Sequence, residues 1–336
     1  MQEGLVIRTT GSWYKVLPAN GDGIDCRLRG NYRLRGNKQT NPVAVGDHVT
    51  FELQDDGTGV IHEVVDRRNY IVRRATKLSK QTHVIAANID LLCVVATLGL
   101  PRTSTGFIDR LLVTAEAYHI PACVVFNKSD LLSDPELREA QDEMSAIYRG
   151  AGYPVLEVSA LTGSGIDELK TMIAGKTVLF SGHSGVGKSA LLNAISPGLG
   201  LKVGQLSEWS LKGKHTTTFA EIFPTSLTPN PSPNGEGNGM HAVSTHLSIW
   251  KGTGDETTYL IDTPGIKEFG MVDFTPQELS HFFPEMRSVL HNCHFANCTH
   301  RHEPQCAVKK AVEDGRINEE RYRNYLNIIE GIEEES

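Results

Sequence analysis

Eight consecutive residues, GHSGVGKS (182–189), have the spacing of a loop that wraps phosphates. Gly182 and Gly187 let backbone N–H groups turn inward, with His183, Ser184, Gly185 and Val186 between them. Lys188 can reach the β and γ oxygens, and Ser189 can ligate Mg²⁺. DTPG (262–265) follows an apolar run, so Asp262 can hold the same Mg²⁺ through water and the Gly265 N–H can sense the terminal phosphate. NKSD (127–130) offers an amide for a purine edge at Asn127, an aliphatic cover for the ring at Lys128, Ser129 in the turn, and a carboxylate at Asp130. That carboxylate can accept from the guanine N1–H and 2-amino group. Adenine has neither donor there, and a buried, unpaired Asp130 would reject it. Ser159 and Ala160, in SALTGSG, sit where a second base-contacting loop would lie.

GKHTTT (213–218) falls between the phosphate loop and DTPG. One of Thr216, Thr217 and Thr218 would supply a second Mg²⁺ ligand, and Thr217 is carried as the candidate. Ile266 follows DTPG and is apolar, so it cannot orient a water molecule; His215 is the candidate for that task. Near the C-terminus, CHFANCTHRHEPQC places Cys293, Cys298, His300 and Cys306 at C-x4-C-x-H-x5-C, with His291, His294 and His302 beside them. Three thiolates and one imidazole suit a single tetrahedral zinc ion in a closed structural site. The other cysteines, Cys26, Cys93 and Cys123, are scattered in strand-like surroundings and read as buried free thiols.

These residues need a scaffold. Residues 1–73 contain short alternating segments punctuated by Gly and Asp/Asn, the pattern of a small β-barrel, either OB-like or SH3-like. From about residue 75 apolar strands alternate with amphipathic helices, which implies a parallel sheet covered on both faces. Ser104 or Thr105 would cap the first of these helices. Ser133 or Asp134 would cap the second, with Pro135 in its first turn and Gly150 past its end. The stretch 225–247 breaks the rhythm; its first half is rich in Pro, Asn, Gly and Ser and reads as a mobile loop. Past Thr275 the chain reads as helical, interrupted by the Cys/His cluster.

The chain has 336 residues, 39% of them hydrophobic, and a formal net charge of -7, so global charge does not suggest a nucleic-acid partner. Arg27, Arg29, Arg33, Arg35 and Lys38 nonetheless crowd one short stretch, which would contact RNA phosphates. No signal-peptide pattern opens the chain, and its longest apolar run is too short to span a bilayer. A cytoplasmic protein is expected.

The nucleotide motifs resemble the five GTPase motifs in the order fourth, fifth, first, second, third. That is the order of circularly permuted GTPases. With a barrel before them and a Cys/His site after them, the chain resembles the bacterial ribosome small-subunit-dependent GTPase A family along nearly its whole length. The resemblance implies a multidomain α/β protein: an OB-fold-like β-barrel over 1–73, a circularly permuted P-loop GTPase domain over 74–275, and a helical zinc-binding domain over 276–336. It implies GTP/GDP and Mg²⁺ at the nucleotide site, and one zinc per chain with His300 as the imidazole ligand. His215 carries over as a suspected catalytic histidine. The implied partner is the small ribosomal subunit with its rRNA, whose late maturation the protein would assist while the subunit stimulates hydrolysis. The alternative is a non-catalytic RNA-binding assembly factor that uses GTP only as a switch. A monomer is expected, with no membrane and no DNA partner. None of the five motifs lies past residue 275, so changes in the zinc domain are expected to leave nucleotide affinity intact.

Overall fold

The computed structural model describes residues 1–30, 41–74, 82–203, 220–227, 257–262 and 276–331. The chain divides into two compact units, one gathering Met1–Asp90, Ile166–Leu179 and Ser189–Pro264, the other Leu91–Gly165, Phe180–Lys188 and Gly265–Ser336.

In the first unit, alternation builds the barrel. Strands β1 (Gln2–Thr10), β2 (Trp13–Pro18), β3 (Ile24–Leu28), β4 (His48–Leu53) and β5 (Gly59–Val64) send Val6, Tyr14, Val16, Cys26, Val49, Phe51 and Ile61 inward. Antiparallel pairs β1–β2, β2–β3, β4–β5 and β1–β4 close with a parallel β3–β5 pair, giving the circuit 1-2-3-5-4-1. That parallel closure decides for the OB-like barrel over the SH3-like one. Burial raises the Cys26 thiol to about 11, so it stays protonated inside the barrel. The carboxylate of Asp47, fully buried, receives Nε of Arg67 at 2.7 Å and Nη2 at 2.8 Å. This paired fork anchors the segment that leads from β5 into the hairpin of β6 (Tyr70–Arg74) and β7 (Thr82–Ala87). The expected boundary after residue 73 falls inside β6.

The second unit carries the parallel strands β8 (Leu91–Ala96), β9 (Ala122–Phe126) and β10 (Val155–Glu157). Every residue of β8 is buried, which explains its unbroken apolar run. Cys93 and Cys123 face each other across β8 and β9, both without solvent exposure. Helix α1 (Thr105–Ala117) is capped by Ser104, whose hydroxyl accepts from the Phe107 N–H at 3.3 Å. Helix α2 (Pro135–Gly150) is capped by Asp134. Gly150 is its last residue rather than one past the end. Ala151 still has helical dihedrals, and Gly152 (φ 93°) takes the left-handed position that stops the helix.

Helix α3 (Ile166–Ile173), strand β11 (Thr177–Ser181) and helix α4 (Lys188–Ile195) follow, and then β12 (Glu221–Thr225) pairs antiparallel with β13 (Thr258–Asp262) in the first unit. The chain returns to the second unit through α5 (Pro276–Leu279), α6 (Pro284–Arg287), α7 (Ala307–Glu313) and α8 (Glu319–Glu330). These helices share a core of Leu279, Phe283, Met286, Val308 and Tyr325 with Val113 of α1.

Candidate functional site

Asn127 leaves the end of β9 and is buried. Its side-chain amide donates to the Val186 carbonyl at 2.9 Å, and its carbonyl oxygen accepts from the Ala160 N–H at 3.2 Å. One side chain therefore joins the phosphate loop, the NKSD turn and the SALTGSG loop. Lys128 follows in the left-handed region (φ 66°, ψ 36°). Its ammonium donates to the carbonyls of Leu100 and Gly185, both at 2.8 Å, and burial lowers its pKa. Asp130 is exposed, and one of its oxygens accepts from the buried Ser159 hydroxyl. Ser159 thus orients the carboxylate while leaving its other oxygen for a ligand. Ser129 is half-buried, and its N–H donates to Val158 at 3.1 Å.

The phosphate loop runs from the end of β11 to the start of α4. A Cβ on Gly182 would strike the Val95 carbonyl oxygen. Gly187 is half-buried in the left-handed region (φ 90°), and a Cβ there would strike the Asn127 amide. Glycine is required at both places, and the cradle keeps its depth. Gly187 was expected only to free the backbone; the structure gives it the further task of making room for Asn127. Lys188, 9% exposed, donates from Nζ to the carbonyls of Gly182 at 2.7 Å and His183 at 3.1 Å. Val186 is fully buried, Ser184 and Gly185 are exposed, and Ser189 is half-buried in the first turn of α4. The His183 ring stacks on Phe107 of α1, centroids 3.6 Å apart at 26°. A narrow glycine-lined cradle with a lysine rooted in it fits a polyphosphate, and Ser189 offers the oxygen that Mg²⁺ prefers.

The ligand atoms of Cys293, Cys298, His300 and Cys306 all lie within 4.8 Å of one another. His300 Nδ1 is 3.4 Å from Cys306 Sγ and 3.7 Å from Cys293 Sγ. Sulfur ligands about 2.3 Å from a tetrahedral zinc stand about 3.8 Å apart, so the donor set fits that ion. His291, His294 and His302 are exposed. The loop is braced from outside: Tyr322 donates to the His300 carbonyl at 2.6 Å and Tyr325 to the Thr299 carbonyl at 2.8 Å. Glu303 collects the Thr299 N–H and hydroxyl and the N–H groups of Arg301 and His302. Burial opposes its charge, yet these bonds win and hold its carboxyl at about 2. Cys306 also accepts from the Lys309 N–H, capping α7.

Residues 64–228 match the RsgA GTPase family, and residues 3–61 match the RsgA N-terminal domain. The chain is 48% identical to the small ribosomal subunit biogenesis GTPase RsgA 2 of Bacteroides thetaiotaomicron, over 99% of this chain and 97% of that protein. The chain belongs to the RsgA GTPase family. It is also 45% identical to the small ribosomal subunit biogenesis GTPase RsgA of Flavobacterium johnsoniae, over 98% of this chain and 94% of that protein. The crystal structure of YjeQ from Thermotoga maritima superposes with a TM-score of 0.72 at 34% identity, covering 98% of each chain. The structure of YloQ, a circularly permuted GTPase, gives 0.68 at 28% identity, covering 99% of this chain and 95% of that one. The motif order of this chain is that of a circularly permuted GTPase, as YloQ is described, and the protein is a GTP hydrolase.

Members of this family use GTP and GDP with Mg²⁺. The structure brings Asn127, Lys128, Asp130, Ser159, Ala160 and the loop from Gly182 through Gly187 to Lys188 into one unit. Asp262 closes β13 in the other unit and is half-buried. His215, Thr216, Thr217, Thr218, Gly265 and Ile266 lie outside the described residues, as do Arg33, Arg35 and Lys38. Arg27 and Arg29 are described and exposed. The Arg27 guanidinium covers the Trp13 ring at 4.0 Å, and Arg29 Nη1 lies 3.4 Å from His62 Nδ1. Sequence reasoning assigned Asn127 to the purine edge and missed that the same side chain, through one amide N–H and its carbonyl oxygen, also buckles three loops. It also missed Phe107, which reads in sequence as an ordinary core position of α1. Among the described residues, no helix is long and apolar enough to cross a membrane.

Proposed function

We propose that this chain binds the small ribosomal subunit and assists its late maturation, hydrolysing GTP to GDP and phosphate at a rate the subunit raises. The relatives named as small ribosomal subunit biogenesis GTPases support the partner. The observation that carries the chemistry is the Asn127 buckle, which sets a guanine-reading carboxylate and a phosphate cradle in one rigid frame.

In this reading Asp130 reads the guanine N1–H and 2-amino group, the second amide N–H of Asn127 bonds the purine edge, Lys128 covers the ring with its stem, and Ser159 and Ala160 close the base pocket. The N–H groups of residues 182–188, Gly187 among them, hold the α and β phosphates. On nucleotide binding Lys188 exchanges its loop carbonyls for β and γ oxygens, a short swing of a charge already at the cradle floor. Ser189 and Thr217 would hold Mg²⁺, with Asp262 reaching it through water; the ion neutralises charge that develops on the phosphate oxygens. The Gly265 N–H senses the γ phosphate, and His215 orients the attacking water. Cys293, Cys298, His300 and Cys306 hold one structural zinc. Arg27 and Arg29, with Arg33, Arg35 and Lys38, contact rRNA phosphates from the barrel. The chain works as a cytoplasmic monomer, without DNA or membrane, in three domains at 1–73, 74–275 and 276–336.

The test is GTP turnover with purified small subunits, purified large subunits and buffer alone. Stimulation by small subunits only is expected. Equal rates in all three would sink the proposed role while leaving the family assignment standing.

A further inference from the structure

The first turn of α1 is held from two sides. Phe107 stacks on His183 of the phosphate loop. Residues 105 and 109, one turn apart, lie on a face opposite to 107, and both are gripped by α8. Thr105 Oγ1 donates to Glu320 at 2.7 Å. Asp109 is fully buried and accepts from Arg321 Nη1 at 2.5 Å and from Asn324 Nδ2 at 2.6 Å. Arg321, 1% exposed, donates its other face to both oxygens of Glu285, at 2.7 and 3.1 Å, and lies 4.7 Å over the Phe283 ring.

We propose that Phe107, Asp109, Arg321 and Asn324 are positioning residues for the nucleotide: the C-terminal helices fix the first turn of α1, and that turn fixes the phosphate loop. Docking of the C-terminal module and nucleotide binding are therefore coupled, each strengthening the other by the same factor. The cluster does not yield gradually. Its bonds are directional, and a displaced α8 would leave Asp109 buried beside no cation, a costly state. The module is either docked with α1 in place or released. The proposal rests on reading residues 182–189 as the phosphate loop, and it replaces the expectation that changes past residue 275 leave nucleotide affinity intact.

The test titrates GDP into four full-length proteins: wild type, Phe107→Leu, the apolar cluster variant Asp109→Leu/Glu285→Met/Arg321→Met, and the two combined. Each alteration alone should weaken GDP binding about tenfold, within the usual range for coupled sites. The combination should be no weaker than either, because both cut one connection. The KM for GTP should rise by the same factor, with kcat changing less; a merely loosened fold would lower kcat. Wild-type affinity in the cluster variant, or losses that multiply to about a hundredfold, would overturn the proposal. Should the cluster variant fail to fold, amide exchange of α8 decides. GDP should slow it about tenfold in wild type and leave it unchanged in Phe107→Leu. An equal GDP effect in both proteins, or none in either, would overturn the coupling. A wild type that binds no GDP would overturn the nucleotide reading itself.

Discussion

Two regions hold the C-terminal module, and they do so by opposite means. The Cys/His loop draws its four donors from residues 293–306, so its geometry is set by a short stretch of chain and, in the proposed zinc form, by the ion. The Arg321 cluster joins residues 212 positions apart and uses hydrogen bonds, charge and the Phe283 ring face among buried side chains. On the proposed reading the first folds the module and the second places it. Burial weighs against the Arg321 charge, but Asp109 and Glu285 outweigh it and hold the guanidinium well above its ordinary pKa. The guanidinium therefore stays charged, while burial pushes the Asp109 carboxyl up against the pull of Arg321.

This contrast is sharpest under metal removal. A strong chelator, or Cys298→Ala, should abolish amide-exchange protection across α7 and α8, because a segment with so small a core draws about 10 kcal/mol or more of its folding energy from structural zinc. Metal analysis should give one zinc per wild-type chain and none in the variant. Full protection in a metal-free protein would show that the apolar core alone folds the module.

Arg321→Met should come next. It leaves Asp109 and Glu285 buried without their cation, a loss of about 3–5 kcal/mol read as faster exchange of α8, while bound zinc stays at the wild-type level. Zinc loss in that variant would mean the two regions form one cooperative unit. The apolar cluster variant should recover part of this, because packed side chains of similar volume replace all three charges and only the Asn324 amide is left buried without its acceptor, at about 1–3 kcal/mol. That outcome would separate stability, which the apolar core restores in part, from GDP affinity, which it does not. A variant less stable than Arg321→Met alone would show that the charges stabilise the dock outright.

The same division explains what was legible in the sequence. Phosphate binding needs consecutive backbone N–H groups, so GHSGVGKS is written in one run; the thiol ligands are close in sequence because one loop must carry them. The parallel strands β8 to β10 announce themselves through unbroken apolar runs. Barrel strands look alike in OB-like and SH3-like circuits, and only the β3–β5 pairing separates the two. Strand β12 went unread because Pro224 sits inside its five residues, and a proline argues against a strand. The Asn127 buckle spans 59 positions to Val186 and the Arg321–Glu285 pair spans 36. Each is made of residue types that are common on surfaces. Nothing in a single sequence marks Asp109 as the partner of Arg321 rather than as a solvated helix carboxylate.

The smallest expected effect tests whether burial is what gives the cluster its weight. Thr105 and Glu320 form the same kind of bridge between α1 and α8, but both residues are half-exposed. Thr105→Val keeps the shape and removes the hydroxyl. Glu320 keeps an ion pair with Arg323 at 3.1 Å and stays within reach of water, so no group is left buried and unpaired. The loss should be about 0.5–1 kcal/mol in α8 exchange, the ordinary worth of one partly solvated bond. The Thr105 carbonyl still receives the Tyr148 hydroxyl at 3.3 Å, so the start of α1 keeps its other anchor. GDP affinity should change less than about twofold, since Asp109 and Phe107 are untouched. A loss as large as that of Arg321→Met would show that the whole α1–α8 seam, rather than its buried ion cluster, places the module.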